Sequence, residues 1–317
     1  MPRPLLGNRD FSRALNRSTV LNMIKTYGPI DRAELARRTG LSAATVTGIT
    51  AELITDDLIF EKAPGHSRGG RRPILLALNA RGSYVVGLKV TETHVIGALT
   101  DLEATVLAKR TDALSDRTPE HVIEILSAGV LDLIQNEGIA LAKLLGVGVG
   151  LAGIVDAERG VLRQSPFFGW RELPLRQLLH ERLGVPVYID NDVNTLTLTE
   201  KWFGVGPAVD NFLTVTIGRG VGLGIVVNGQ FYRGASGGAG EFGHTVIDPE
   251  GPRCDCGKRG CLEAFVGDPG LLRMAAATMT KAPTTVDELL AAANGGDGAA
   301  QAVFARAGTV LGQGIAN

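Results

Sequence analysis

Cysteine is scarce in this 317-residue chain: there are three, and all fall within CDCGKRGC, Cys254–Cys261. So few thiols exclude a disulfide-stapled scaffold, and a chain of this length has ample material to build its own core. Aromatic residues make up 5% of the chain, and no run of eighteen or more apolar residues occurs, which argues against a membrane span. The first residues, MPRPLLGNRDFSR, carry arginines but no long apolar stretch, so no secretory signal is evident. A cytoplasmic protein with reduced thiols is the expectation. Net charge is nearly absent too, at −1, but residues 1–80 hold 12 Lys+Arg against 7 Asp+Glu and the remainder is acidic. A basic front on an acidic body suggests that the smaller part meets a polyanion. Uneven scatter of surface charge would give the same numbers.

What is present begins with three helical patterns. In RALNRSTVLNMIKTYG the apolar Leu15, Val20, Leu21 and Ile24 recur at roughly helical spacing until Gly28-Pro29. IDRAELARRTG starts on Asp31 as N-cap, with Glu34 three positions on as in a capping box, Leu35 facing inward and Gly40 closing the helix. LSAATVTGITAELITDD starts on Ser42, and Val46, Ile49 and Leu53 share one face. LIFEK and ILLAL then read as two strands flanking the basic, glycine-bearing APGHSRGGRRP. Residues 1–80 are therefore expected to form a winged helix-turn-helix DNA-binding domain. Arg68, Arg71 and Arg72 on the wing suit phosphates or a narrow minor groove. The outer face of the third helix offers Ser42, Ala44, Thr45, Thr47, Gly48 and Ala51, with none of the side chains that bind base edges bidentately. Direct readout should be modest, with the wing and DNA shape discriminating more.

From Gly82 onward strands alternate with helices: YVVGLKV, HVIGALTDL, ATVLAKR, the helix HVIEILSAGVLDLIQNE, then LLGVGVGLAG, VPVYIDND and NFLTVTIGRGVGLGIVVNG. This is an α/β domain, whose glycines at strand ends leave room for a ligand near the backbone. Cys254 and Cys256 are too close for an ordinary disulfide. Thiolates at Cys254, Cys256 and Cys261, with the imidazole of His244 ten residues upstream, supply the three-sulfur, one-nitrogen set of a structural Zn2+ site. Gly257 and Gly260 permit the turns such a site needs.

GASGGAGEFGH followed by CDCGKRGCLEAF resembles the signature of the ROK family (repressors, open reading frames and sugar kinases), and VYIDNDVNTLTLTEKWFG resembles its N-D-x-N segment. With the head in front, the chain is similar to the transcriptional-regulator branch, of the xylose-repressor and N-acetylglucosamine-repressor types. The resemblance implies an α/β actin-like, two-lobed sugar-kinase fold for residues 81–317, with a sugar pocket in its cleft. It implies sugar-binding roles for Asn191, Asp192, Glu241, His244 and Glu263, with Asp192 at the position of the kinases' catalytic base. His244 would hold zinc through one nitrogen and face the sugar with the other. The chain stops at GTVLGQGIAN, where the family pattern leads on to a further strand and helix, so a carboxyl-terminal portion is expected to be missing.

Three departures from the family pattern matter. Family kinases open this domain with an acidic, glycine-bearing D-x-G-G-T loop for ATP phosphates; here LKVTETH places Lys89, Thr91 and Glu92 in it. Bulky and anionic side chains there would crowd and repel phosphates. Arg219 replaces a threonine in the second glycine-rich turn, IGRGVGLG, and Phe167 replaces the asparagine of an S-P-N-x-x-W segment. ATP binding is expected to be lost, Asp192 to serve only as a hydrogen-bonding group, and the ligand to differ from the usual hexoses. The expectation is a regulator, a repressor of carbohydrate genes, that binds operator DNA as a homodimer or higher homo-oligomer and answers a monosaccharide or sugar derivative. An ATP-dependent sugar kinase with an added DNA-binding head is the alternative. A regulator controlled by a protein partner, with a vestigial pocket, is a third.

Overall fold

The computed structural model describes residues 9–62, 73–165, 167–235 and 237–316. The chain divides into two compact units: Met1–Val149 with Arg176–Tyr188, and Gly150–Leu175 with Ile189–Asn317.

The first unit starts with α1 (Arg9–Tyr27), the short strand β1 (Ile30–Asp31), α2 (Arg32–Thr39) and α3 (Ala43–Thr55). Strands β2 (Ile59–Lys62) and β3 (Leu75–Leu78) follow, and the three strands form an antiparallel sheet in the order β1-β3-β2. Local chemistry sets these boundaries. The Asp31 carboxylate accepts the Glu34 N–H at 2.8 Å, and the Ser42 hydroxyl accepts the Thr45 N–H at 3.1 Å. Gly40 closes α2 at a φ of 70°. The capping box is only half made, because the Glu34 carboxylate turns to Arg37 and Arg38. Val20, Ile24, Leu35, Val46, Ile49, Leu53 and Leu76 make the core of this head. Leu15 departs from its expected place and is exposed on α1. Thr50, which the apolar pattern does not mark, is buried and receives the Arg32 Nε–H at 3.0 Å.

Next come β4 (Tyr84–Val90), β5 (His94–Asp101), β6 (Val106–Ala113), α4 (Pro119–Asn136), β7 (Leu144–Leu151), β8 (Ile154–Asp156), β9 (Val161–Gln164), β10 (Arg171–Leu173), α5 (Leu175–Leu183) and β11 (Val187–Asn191). A five-stranded sheet has the order β11-β7-β4-β5-β6, in which β4, β5 and β6 form an antiparallel meander. Helix α4 packs on β5 and β6 and buries Val122, Leu126, Val130 and Leu133, the apolar stripe of HVIEILSAGVLDLIQNE.

Residues 79–84, between head and sheet, form a hydrogen-bonded joint. Asp57, at a φ of 60°, accepts Asn79 Nδ2 at its carboxylate (2.7 Å) and at its carbonyl (3.0 Å). Lys143 Nζ donates to Asp57 Oδ2 at 2.7 Å and to the Gly82 carbonyl at 3.0 Å. The Leu102 N–H reaches the Ala80 carbonyl at 3.0 Å, and its side chain packs against the core of the head. The head is thus seated on the sheet by backbone as well as by side chains.

The second unit contains the small sheet β10-β9-β8, then α6 (Asp192–Phe203), β12 (Phe212–Ile217), β13 (Val221–Val227) and β14 (Gln230–Phe231), paired in the order β12-β13-β14. Helices α7 (Leu262–Val266), α8 (Asp268–Thr278), α9 (Val286–Asn294) and α10 (Gly298–Ala316) surround a core of Leu262, Phe265, Leu271, Leu289, Val303 and Val310. Two glycines of IGRGVGLG serve packing rather than a ligand. A Cβ on Gly224 would lie 1.8 Å from Thr197 Oγ1, and one on Gly222 would lie 2.5 Å from Val193 Cγ2, so α6 occupies that space. Among the described residues no helix is long and apolar enough to cross a membrane.

Candidate metal centre, effector site and nucleic-acid interface

The cysteine turn is built from short, local hydrogen bonds. The Cys254 N–H donates to the Lys258 carbonyl at 2.9 Å and the Gly257 N–H to the Cys254 carbonyl at 3.0 Å. Gly257 and Gly260 adopt φ values of 90° and 66°, which other residues resist. Cys261 follows as the residue before α7, and His244 stands in a short 3-10 turn, Phe242–His244. The donor atoms of His244, Cys254, Cys256 and Cys261 all lie within 4.8 Å of one another. Cys254 Sγ is 3.6 Å from His244 Nδ1, and Cys256 Sγ is 3.6 Å from Cys261 Sγ. Ligands at about 2.1–2.3 Å from a tetrahedral zinc stand roughly 3.5–3.8 Å apart, so the set fits a metal ion. Burial pushes the Cys254 thiol up to about 12 and raises Cys261 as well. At Cys256 burial acts in the same sense, but the Lys258 N–H and the neighbouring thiols outweigh it and its pKa falls. Cys254 and Cys261, whose burial opposes ionisation, need a cation to hold them as thiolates.

Three of the expected sugar contacts gather around that cluster. His244 Nδ1 faces the sulfurs and lies 3.9 Å from Glu263 Oε1, while Nε2 lies 3.8 Å from Glu241 Oε2. The imidazole thus turns one nitrogen to the metal site and the other to a half-exposed carboxylate. Glu263 is less available than expected, since its Oε2 accepts the Val221 N–H at 2.9 Å. Asn191 and Asp192 stand at the start of α6. Asn191 Oδ1 accepts the Val193 and Asn194 N–H groups at 2.8 and 3.2 Å, and its Nδ2 donates to the Gly153 carbonyl at 3.0 Å. Asn191 is first of all a helix cap, which leaves one amide hydrogen for a ligand.

The segment also contains a polar network that motif reading did not isolate. Asp190, buried, accepts the Asn191 N–H and Asn194 Nδ2, both at 2.8 Å, on Oδ1, and Arg233 Nη2 at 2.6 Å on Oδ2. The Arg233 guanidinium lies 4.6 Å from the centre of the Phe231 ring. This network ties the start of α6 to the chain leading into GASGGAGEFGH. A D-N-D run beside an N-D-x-N match was the available signal, but nothing local marks Arg233 as the partner.

The segment aligned with the first phosphate loop is a turn bonded to itself. Between β4 and β5 the Thr91 N–H donates to the His94 carbonyl at 2.9 Å, and the Thr91 hydroxyl accepts the His94 N–H at 3.0 Å and the Thr93 N–H at 3.4 Å. The Thr91, Thr93 and His94 N–H groups are thus bonded within a tight hairpin turn.

On the head, Ser42, Ala44, Thr47 and Gly48 are exposed and Thr45 is partly so. The hydroxyls of this face are largely committed: Ser42 and Thr45 share a 2.8 Å hydrogen bond, and Thr47 Oγ1 donates to the Ala43 carbonyl at 2.8 Å. Arg68, Arg71 and Arg72 lie outside the described residues. Helix α1 borders the same face, with Arg13 and Asn16 lining a groove of about 370 Å³ along with Ala44, Thr45 and Gly48. Arg17 pairs with Asp56 at 2.5 Å and Arg13 with Glu52, clamping α1 to α3.

Residues 85–317 match the ROK family. The chain belongs to the ROK family. This ROK chain is 35% identical over 268 residues to the xylose repressor of Bacillus subtilis, covering 84% of the chain and 70% of that protein. It superposes on a ROK family transcriptional regulator, a homologue of the Escherichia coli MLC protein, with a TM-score of 0.85 and 29% identity, over 96% of this chain and 80% of that one. A ROK family glucokinase from Streptomyces griseus, in complex with glucose and AMPPNP, matches with a TM-score of 0.65 and 29% identity over 74% of this chain and 78% of its own. The ROK sugar-kinase fold is therefore common to all three, while the match extending to 96% of the chain is to a regulator.

Proposed function

We propose that this ROK protein is a sugar-responsive DNA-binding transcriptional regulator that represses genes of carbohydrate uptake or catabolism. The observation that carries this reading is one chain joining a three-helix head and strand hairpin to a ROK domain, superposable over 96% of its length on a ROK transcriptional regulator. The head is a winged helix-turn-helix. Its third helix enters a major groove through Ser42, Ala44, Thr45, Thr47 and Gly48, and Arg68, Arg71 and Arg72 of the wing engage phosphates or the minor groove. The protein acts as a homodimer or higher homo-oligomer on a near-palindromic operator.

His244, Cys254, Cys256 and Cys261 hold a structural Zn2+, which fixes the imidazole so that Nε2 and Glu241 face the effector. Asn191, Asp192 and Glu263 complete a set of donors and acceptors suited to vicinal hydroxyls. A monosaccharide or sugar derivative bound more tightly by one of two states shifts DNA affinity by its differential affinity for them. The joint of Asp57, Asn79, Gly82 and Lys143 makes the head follow the sheet it is seated on.

The kinase reading draws on Asp192 and on the glucokinase likeness. The turn at Lys89–Glu92 opposes it, since bulky and anionic side chains replace the glycines and the Thr91, Thr93 and His94 N–H groups are bonded within the turn, and Asp192 then acts as a ligand contact alone. Selection from a random DNA pool with the purified full chain tests the proposal: recovery of a palindromic consensus is expected, whereas a protein that enriches no sequence yet transfers phosphate from ATP to a sugar is an enzyme.

A further inference from the structure

Helix α1 sets a polar residue on its inward stripe. Asn16 stands one and two turns before Val20 and Ile24, which are buried in the core of the head, so it lies on the face that α1 turns to α3. An apolar side chain is the usual occupant of such a stripe. Asn16 is half-buried, and it meets a groove of about 370 Å³ whose far wall is Ala44, Thr45 and Gly48 of α3. Those three residues belong to the face assigned to the major groove. Small side chains keep the groove open: a Cβ on Gly48 would meet nothing within 4 Å among the described residues. Its charged lining is balanced within the protein, since Glu52 pairs with Arg13 and, at 3.6 Å, with Arg17, which also reaches Asp56 at 2.5 Å. These pairs bracket Asn16 on α1 and hold it at α3. The hydroxyls of Ser42 and Thr45 are spent on each other, whereas the Asn16 amide makes no hydrogen bond to any described residue.

We propose that Asn16 is a specificity-determining residue that reads an adenine in each half-site, so that α1 supplies the bidentate base contact that α3 lacks. The proposal rests on the reading of the head as a DNA-binding domain. A carboxamide presents a donor and an acceptor side by side, the complement of adenine N7 and N6–H in the major groove. The methyl group of the paired thymine then packs against Ala44 and Gly48, where α3 offers small apolar surface. A phosphate suits the groove less, because the Arg13 guanidinium beside it is turned to Glu52 and the Glu52 carboxylate itself lines the wall.

The test starts from the consensus duplex that the full chain selects from a random DNA pool. Band-shift titrations then compare the wild type, Asn16→Ala and Asn16→Asp on that duplex and on duplexes in which each A·T pair of a half-site is changed singly to C·G. In the wild type at least one such change is expected to weaken binding by about ten-fold or more. Both variants should reduce that ratio to about three-fold or less while keeping the ratios at the other positions. Asp matches Asn in shape, but its carboxylate accepts from adenine N6 and cytosine N4 alike, so its loss of the ratio separates base recognition from packing of α1 on α3. A ratio that stays larger in either variant would overturn the proposal and leave the DNA-binding reading intact. Equal weakening on every duplex with all ratios kept, the mark of a phosphate contact, would overturn it too, as would loss of every ratio together, the mark of a structural role. A folded wild-type chain that selects no sequence would overturn the DNA-binding reading and the proposal with it.

Discussion

Gly82 offers the sharpest test of the joint between head and sheet. A Cβ at this position would lie 1.7 Å from the Asp57 carbonyl oxygen and 2.8 Å from Asn79 Nδ2. Its φ is not left-handed, so alanine would suffer there through lack of space rather than backbone strain. Carbon and oxygen need more than 3 Å, so Asp57 would have to retreat by over an ångström. That retreat pulls apart the Asn79–Asp57 and Lys143–Gly82 hydrogen bonds. Overpacking of a tight site costs about 1–3 kcal/mol, and each hydrogen bond lost adds about 1 kcal/mol. Gly82→Ala should therefore destabilise the first unit by about 3–5 kcal/mol. Gly87→Ala, in a strand where a Cβ meets nothing within 4 Å, is the control and should change stability by less than about 1 kcal/mol. Urea unfolding followed by circular dichroism measures both, and limited proteolysis should reveal faster cleavage near residues 79–84 in Gly82→Ala alone. A Gly82→Ala protein as stable and as protease-resistant as Gly87→Ala would refute the close-packed joint.

Metal analysis of the purified protein should find one zinc per chain, and Cys261→Ser or strong chelation should remove it and lower the thermal midpoint; a metal-free protein of unchanged midpoint would contradict the site. Arg233→Ala leaves the Asp190 carboxylate, 10% exposed, without its cation and should cost about 3 kcal/mol by denaturant titration, whereas a loss below 1 kcal/mol would mean that the network is solvated. Removing both wing arginines (Arg71→Ala with Arg72→Ala) should weaken DNA binding more than Thr45→Ala, since the Thr45 hydroxyl is already paired with Ser42; the reverse ranking in band-shift titrations would place discrimination in the helix. Hydrogen bonds from Arg37 and Arg38 hold the Glu34 carboxyl down to about 2, from an ordinary value of 4.5. The stabilisation is full above 4.5 and is lost as pH falls toward 2, so Glu34→Gln should flatten the acid limb of the stability profile, and salt should shrink the difference.

Much of the fold was legible because its signals are local. Asp31, Gly40 and Ser42 cap the helices the sequence assigns to them, and the stripes Val46–Ile49–Leu53 and Val122–Leu126–Val130–Leu133 face inward as their spacing demands. The candidate metal cluster was legible for a different reason: four ligands of two types, one histidine and three cysteines, crowded within eighteen residues leave few other arrangements. Contacts across long sequence separations were not legible. Lys143 reaches Asp57 over 86 positions, and Arg233 reaches Asp190 over 43; neither residue sits in a pattern that names its partner. The glycines of IGRGVGLG misled in part, because room for a ligand and room for a packed helix demand the same missing Cβ, and at Gly222 and Gly224 α6 fills it. Leu15 shows the limit of periodicity, since an apolar residue on the right spacing is exposed on α1 among the described residues.

The most direct test of the central claim is fluorescence-anisotropy titration of the zinc-loaded protein against DNA from its own upstream region, at several salt concentrations, with neutral and anionic sugars added in turn. The account predicts sequence-selective, salt-sensitive binding whose affinity shifts with at least one sugar. Binding that does not discriminate between that DNA and a scrambled duplex, or selective binding that no sugar alters, would contradict it.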